Sequence, residues 1–172
     1  MASGWAVSGI ARIQSGRPFF LTSGRSTYNQ FDAGVVLNGI TVDELQKLVT
    51  LRPGPNGTEL YVDPKLIGPD GRANPQYLQS PTTPGELGQR IFLYGPGLWN
   101  LDLSIAKRIS AGRAYVNLEA LFLDLFNHTA FLVGPTNNDA GFPISINSTT
   151  FGQTTNTASG PRNIQLRLLI GW

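Results

Sequence analysis

The chain has 172 residues, with 13 Lys and Arg against 11 Asp and Glu, a net charge of +2. That surplus is too small to point to nucleic acid or an anionic membrane surface. Charged residues make up 14% of the chain, well below the roughly 25% of soluble proteins. Without cysteine, neither a disulfide framework nor a thiolate metal site can form. No apolar run approaches the about 20 residues of a transmembrane helix, and the first residues show no basic segment followed by an apolar one, so no secretory signal is expected. By length the chain is one domain or a piece of one.

Four segments alternate with a period of two. In the first, residues 4–22, Trp5, Val7, Gly9, Ala11 and Ile13 share one face, and Ser8, Arg12 and Gln14 the other. Pro18 after Gly16 predicts a bend there, because Pro interrupts a ladder and Gly suits a bulge. The long stretch 24–97 is polar and rich in turn residues. Within it, Thr41 and Glu44 stand in capping-box spacing ahead of Leu45, Leu48 and Val49, which predicts a short helix at 42–49. The rest of 24–97, such as Arg52-Pro53-Gly54-Pro55 and Gly68-Pro69-Asp70-Gly71, reads as turn chemistry.

In the second alternating segment, 98–109, Trp99, Leu101, Leu103 and Ile105 oppose Asn100, Asp102 and Ser104. The link Ser110-Ala111-Gly112-Arg113 suits a hairpin into the third, 113–126. There Val116, Leu118, Ala120 and Phe122 oppose Tyr115, Asn117 and Glu119, although the second half is apolar on both faces and a short buried helix over 118–126 is the alternative. After a second long polar stretch, 127–160, the fourth segment, 161–172, sets Ile164, Leu166, Leu168, Ile170 and Trp172 against Asn163, Gln165 and Arg167. Side chains alternate across a strand, so all four read as two-faced β-strands. Segments 98–109 and 161–172 are each 12 residues long. That exceeds the usual 5–6 of globular sheets and matches the roughly 9–11 of a tilted strand crossing a bilayer. A short link between long loops is the connection pattern of an outer-membrane barrel. The expected fold is therefore all-β: an antiparallel meander of about four long transmembrane strands.

The last nine residues end on an aromatic, with Ile164, Leu166, Leu168 and Ile170 at alternate positions before Trp172. This resembles the terminal assembly signal of outer-membrane barrels, an edge strand recognised by β-augmentation. Further motifs lie in register: Gly4-Trp5-Ala6-Val7-Ser8-Gly9-Ile10, Gln14-Ser15-Gly16-Arg17-Pro18-Phe19, Gly95-Pro96-Gly97-Leu98-Trp99-Asn100-Leu101-Asp102, Leu125-Phe126-Asn127-His128-Thr129-Ala130-Phe131, Thr150-Phe151-Gly152-Gln153 and Pro161-Arg162-Asn163-Ile164-Gln165-Leu166. In this order they resemble the C-terminal end of Oar-like TonB-dependent receptors, over nearly the whole of 1–172 except most of 24–97. One departure is Asp124, where the family carries Asn ahead of Phe-Asn-His.

The resemblance implies the C-terminal part of a transporter barrel in the bacterial outer membrane, with 24–97 and 127–160 as extracellular loops. The expected ligand is bulky and scarce, such as a ferric chelate or a glycan. Lumen-facing polar groups would be Arg12, Gln14, Asn100, Asp102, Asn117, Glu119, Gln165 and Arg167, and the membrane-interface aromatics Trp5, Trp99, Phe126 and Trp172. Lys107 falls on the lipid face near a strand end and would snorkel. Four strands cannot close a pore, since lipid tolerates no open ladder edge, and transporters of this class have about 22 strands. The expected partners are therefore outer-membrane lipid, the barrel-assembly machinery, the remainder of the barrel with its plug, and the TonB complex through a region absent from these residues.

Catalysis, metal and cofactor are not expected. His128 is the only histidine, and no Gly-rich phosphate loop opens a helix. Nucleic acid is not expected either, because aromatics and basic residues are not interleaved. The competing class is a soluble or secreted β-rich binding module with large recognition loops. A small barrel built by oligomerisation is a third.

Overall fold

The computed structural model describes residues 4–25, 33–133 and 142–172. Residues 26–32 of the first expected loop and 134–141 of the second lie outside the described residues. In chain order run β1 (Trp5–Gln14), β2 (Pro18–Thr22), β3 (Val36–Leu37), α1 (Val42–Lys47), β4 (Arg52–Pro53), β5 (Glu59–Leu60), β6 (Leu78–Gln79) and β7 (Ile91–Tyr94). They are followed by β8 (Leu98–Ala111), β9 (Ala114–Leu123), β10 (Phe142–Ser145), β11 (Gln153–Thr154) and β12 (Asn163–Gly171). Among the described residues the protein is all-β apart from α1 and two single 3₁₀ turns. The chain divides into two units. One holds the residues through Gln14, Leu98–Ala130 and Ser159–Trp172; the other holds Ser15–Gly97 and Phe131–Ala158.

The first unit is one antiparallel sheet in the order β1-β8-β9-β12. Residues directly opposite one another in an antiparallel pair share a face, so the register assigns faces without further assumption. Val7 pairs Ile105 and Ala11 pairs Leu101. Ile105 in turn pairs Ala120, and Lys107 pairs Leu118. Leu118 pairs Leu168, and Val116 pairs Ile170. The apolar rows of all four strands thus coincide, with Lys107 the charged residue among them. A one-residue slip anywhere would have mixed the two faces.

That face has no second layer against it from this unit. Val7, Ile13, Leu166 and Leu168 are 60% or more exposed, and the buried apolar cluster contains no residue of β1, β8, β9 or β12.

Strand ends differ from the sequence reading. The strand expected over 4–22 stops at Gln14, and β2 belongs to the other unit. Beyond the Pro18 effect, the backbone of Gly16 runs so close to that of Gly95 that a Cβ there would collide with the Gly95 carbonyl oxygen. The hairpin link is two residues rather than four: β8 continues to Ala111, which pairs Ala114 across Gly112-Arg113. Gly112 alone of the two has positive φ (+60°), as a II′ turn requires. The strand expected to 126 ends at Leu123, because Asp124 adopts φ +52° and turns the chain. The helical alternative for 118–126 is excluded by the β9 ladder.

The second unit corrects the reading of 24–97 outside its helix as turn chemistry alone, and gives the polar stretch 127–160 strands and core residues of its own. Together with β2 they enclose a hydrophobic core of Phe19, Leu21, Val35, Leu45, Tyr61, Val62, Leu66, Leu78, Ile91, Leu93, Ile144, Ile146 and Phe151. β2 is the centre of a three-stranded sheet, antiparallel to β7 but parallel to β10; the expected antiparallel meander is the β1-β8-β9-β12 sheet. β11-β5-β4 and β3-β6 are smaller sheets.

The helix expected at 42–49 is present over Val42–Lys47. Thr41 accepts from the Glu44 N–H while the Glu44 carboxylate accepts from the Thr41 N–H at 2.8 Å, closing the capping box. The hydrogen bonds that the Thr41 N–H and the Thr41 hydroxyl both donate to this carboxylate hold the Glu44 carboxyl below its ordinary value. Their stabilisation is therefore present above that value and is lost as pH falls through the lowered one. Leu45 is the residue that α1 buries.

Phe19 is 1% exposed and meets Tyr61 edge-on at 5.8 Å. Phe19→Ala should destabilise the second unit by about 3–5 kcal/mol while leaving amide protection in β8 and β9 unchanged. Hydrogen exchange resolved by segment checks this.

Candidate functional site

The face opposite the apolar rows collects the sequence-selected polar residues. Arg12 pairs Asn100, and Ser8 pairs Ser104. Arg108 pairs Asn117, and Glu119 pairs Arg167. Asp102, Gln14 and Gln165 share this face by the same registers. It is not uniformly polar: Ile10 sits opposite Asp102, and Leu121 and Leu169 also lie here.

A hydrogen-bonded row crosses three strands. Ser104 Oγ on β8 donates to Glu119 Oε1 on β9 at 3.2 Å. Arg167 Nη1 on β12 donates to Glu119 Oε2 at 3.2 Å. Arg167 remains 73% exposed, so solvent screens this pair. Near the hairpin, the Arg108 guanidinium lies 4.3 Å from the Tyr115 ring centroid.

The end of the sheet away from the hairpin closes in a corner that sequence reasoning missed. Leu125 N–H donates to the Leu101 carbonyl at 2.8 Å. Asp102 Oδ1 accepts from the Asp124 N–H at 2.8 Å, and the buried Asp124 carboxylate accepts from the His128 N–H at 3.2 Å. Asn127 Oδ1 accepts from the Arg162 N–H at 2.9 Å. Trp99 stacks on His128 at 4.4 Å and also meets Phe126 at 5.6 Å. Phe-Asn-His is thus a turn pinned to β8 by backbone, carboxylate and ring contacts. The available signal was Asp124 itself, since Asp tolerates positive φ better than most residues.

On the apolar face, Trp5 and Trp99 mark opposite ends of the β1–β8 ladder, eight residues apart along β8 because Trp5 pairs Lys107. That separation is about 26 Å along a strand, or about 20 Å along the normal at the usual tilt of about 40°, close to the roughly 25 Å band of outer-membrane barrels. Lys107 Nζ lies 4.9 Å from the Trp5 ring centroid. Ile164, Leu166, Leu168 and Ile170 extend the apolar rows along β12. Phe126 and Trp172 are exposed.

The second unit carries a pocket of about 380 Å³. Tyr61, Ile144 and Phe151 line it along with hydroxyl and amide side chains, including Ser148, Thr150 and Gln153. The pairing of Gln153 with Leu60 anchors one wall. Tyr61 N–H donates to the Gly152 carbonyl at 2.8 Å, and burial pushes the Tyr61 phenol well above its ordinary value. A smaller pocket of about 290 Å³ includes Glu44, Lys47, Lys65 and Tyr77. Neither pocket was visible in the sequence, because their residues come from turns far apart in the chain.

The family model of an outer membrane beta barrel domain matches residues 1–165. No curated protein matches the chain, and no solved structure does. The strands of the first unit are therefore those of an outer-membrane β-barrel domain, and the protein resides in the bacterial outer membrane.

The exposed geometry of the Glu119–Arg167 pair sets its expected strength. A double-mutant cycle with Glu119→Gln and Arg167→Gln should give a coupling below about 1 kcal/mol that weakens further with salt. Urea unfolding of the lipid-inserted protein at two ionic strengths checks both points.

Proposed function

The chain belongs to the outer membrane beta barrel domain family, and from that premise we propose that it forms part of a TonB-dependent receptor of the Oar-like kind. Such a receptor takes up a bulky ligand, a ferric chelate or a glycan. The observation that carries the barrel-wall assignment is the single-layered sheet, apolar rows on one face and a hydrogen-bonded polar row on the other. The receptor class rests on the motifs in register along the sequence, above all Leu98-Trp99-Asn100-Leu101-Asp102, Phe126-Asn127-His128 and Arg162-Asn163-Ile164-Gln165-Leu166.

In this reading Arg12, Gln14, Asn100, Asp102, Asn117, Glu119, Gln165 and Arg167 face a hydrated lumen and contact the plug. Trp5, Trp99, Phe126 and Trp172 sit at the lipid–water boundaries, where amphipathic rings are favoured. Lys107 extends its ammonium past the Trp5 ring toward headgroups. The outer ladder edges of β1 and β12 pair with further strands, because hydrocarbon leaves no backbone group unpaired. Segments 24–97 and 127–160 supply extracellular ligand capture. No bond is made or broken in the ligand; the work is binding and passage, energised through the TonB complex.

A water-soluble module would leave Leu166, Leu168 and Ile170 in contact with water over a continuous face, a liability for aggregation.

Two substitutions on β12 test the wall assignment. Leu168→Arg on the apolar row should cost about 2–4 kcal/mol in folding into lipid vesicles, whereas Gln165→Arg on the polar row should cost under about 1 kcal/mol. Equal costs would remove the basis for the lipid-facing assignment.

Trp172→Ala should reduce assembled protein in outer-membrane fractions, read by heat-modifiable gel mobility. Normal assembly would count against the terminal-signal assignment. For the receptor class, ligand uptake by intact cells should collapse on deletion of the TonB complex while surface binding persists.

A further inference from the structure

We infer that the 380 Å³ pocket of the second unit is a subsite for an uncharged, polyhydroxylated ligand, a neutral saccharide, rather than for an anionic chelate. The inference deepens the receptor reading, on which its place in uptake rests, and favours a glycan over an anionic chelate.

Volume, lining and charge all bear on this. About 380 Å³ lies within the roughly 300–1,000 Å³ of small-molecule sites. All ten lining residues are uncharged. An anionic iron chelate bound there would give up hydration without a cation to replace it, which is costly; recognition of carboxylate or phosphate oxygens normally enlists Arg or Lys. The cations of the smaller pocket, Lys47 and Lys65, do not line this one.

The polar groups that are present match a sugar. Ser and Thr hydroxyls donate one hydrogen bond and accept two, and the Gln amide both donates and accepts. Ligand hydroxyls have the same double character, so either partner can reverse its role. The lining groups also divide by task. Thr154 is committed to the fold: its Oγ1 donates to the Leu132 carbonyl at 2.7 Å and accepts from the Asn156 N–H at 3.1 Å. Ser148 Oγ and Thr150 Oγ1 hold each other at 3.0 Å, which orders the pair and leaves further lone pairs. Gln153 is half-buried, and Thr155 is exposed. The apolar lining of Tyr61, Ile144 and Phe151 is fixed in the core. At 7% exposure or less it backs the pocket rigidly and leaves the contact surface to the hydroxyl and amide side chains, so little ordering cost falls on binding.

The test uses the full-length outer-membrane protein in detergent micelles, applied to an array of uncharged oligosaccharides, with ferric citrate as the anionic probe by calorimetry. The variants are Gln153→Ala and Thr155→Val, which change pocket side chains outside the buried core; circular dichroism and heat-modifiable mobility verify their folding. The expected result is retention of at least one neutral saccharide, weakened about tenfold by each variant, with no heat from ferric citrate. Overturning results are no retained saccharide, retention unchanged in both variants, or ferric citrate binding that the variants abolish. Cellular uptake separates this inference from the receptor reading. Saccharide binding lost in the variants, with uptake indifferent to the TonB complex, would support the pocket and defeat the receptor. TonB-dependent uptake of an anionic chelate, with no saccharide retained, would defeat the pocket alone.

Discussion

A four-stranded sheet whose apolar rows meet no layer of their own unit poses the central physical problem of this protein. In water, Val7, Leu166, Leu168 and Ile170 would expose a continuous greasy surface; in hydrocarbon the same surface needs no cover. The register allows no compromise, since a strand shifted by one residue would carry Arg12, Glu119 or Arg167 onto the apolar face. The outer-membrane family of the chain supplies the solvent that this face requires. Trp5 and Trp99 stand on that face at the two ends of the β1–β8 ladder, with Lys107 beside the Trp5 ring.

The two units divide the work of stability. Buried apolar packing lies in the second unit, around Phe19, Tyr61, Leu66 and Phe151. The first unit depends on ladder hydrogen bonds, cross-strand pairs and its surroundings. Different perturbations should therefore act on them separately: cavity-forming substitutions on the second unit, charges placed on the outer rows on the first. The corner at Asp124–His128 is a small exception. There a buried carboxylate, a positive-φ turn and the Trp99 stack hold the chain at the end of β9.

The organised second unit also changes how ligand capture is understood in the proposed receptor. A loose loop pays ordering entropy whenever it binds, whereas a pocket backed by core residues has already been ordered by folding. Short strands such as β5 and β11 carry few residues, yet they bring Leu60 opposite Gln153 and so join segments more than ninety residues apart.

Long period-two segments were legible from the residues alone. Alternation of Leu101, Leu103 and Ile105 with Asn100, Asp102 and Ser104 needs only the geometry of a strand, so faces and approximate ends followed locally. The capping box at Thr41 and Glu44 is equally local. What tertiary structure decided was everything with no period: the passage of β2 into the second unit beyond the bend that Gly16 and Pro18 announced, the parallel pairing of β2 with β10, and the core assembled from apolar residues scattered among turns. Val35, Tyr61, Leu78 and Phe151 sit in apolar runs of three residues or fewer, too short to announce a strand or helix. Their burial is a matter of which distant turns fold together, and that is settled by packing across the whole unit rather than by neighbours in the chain.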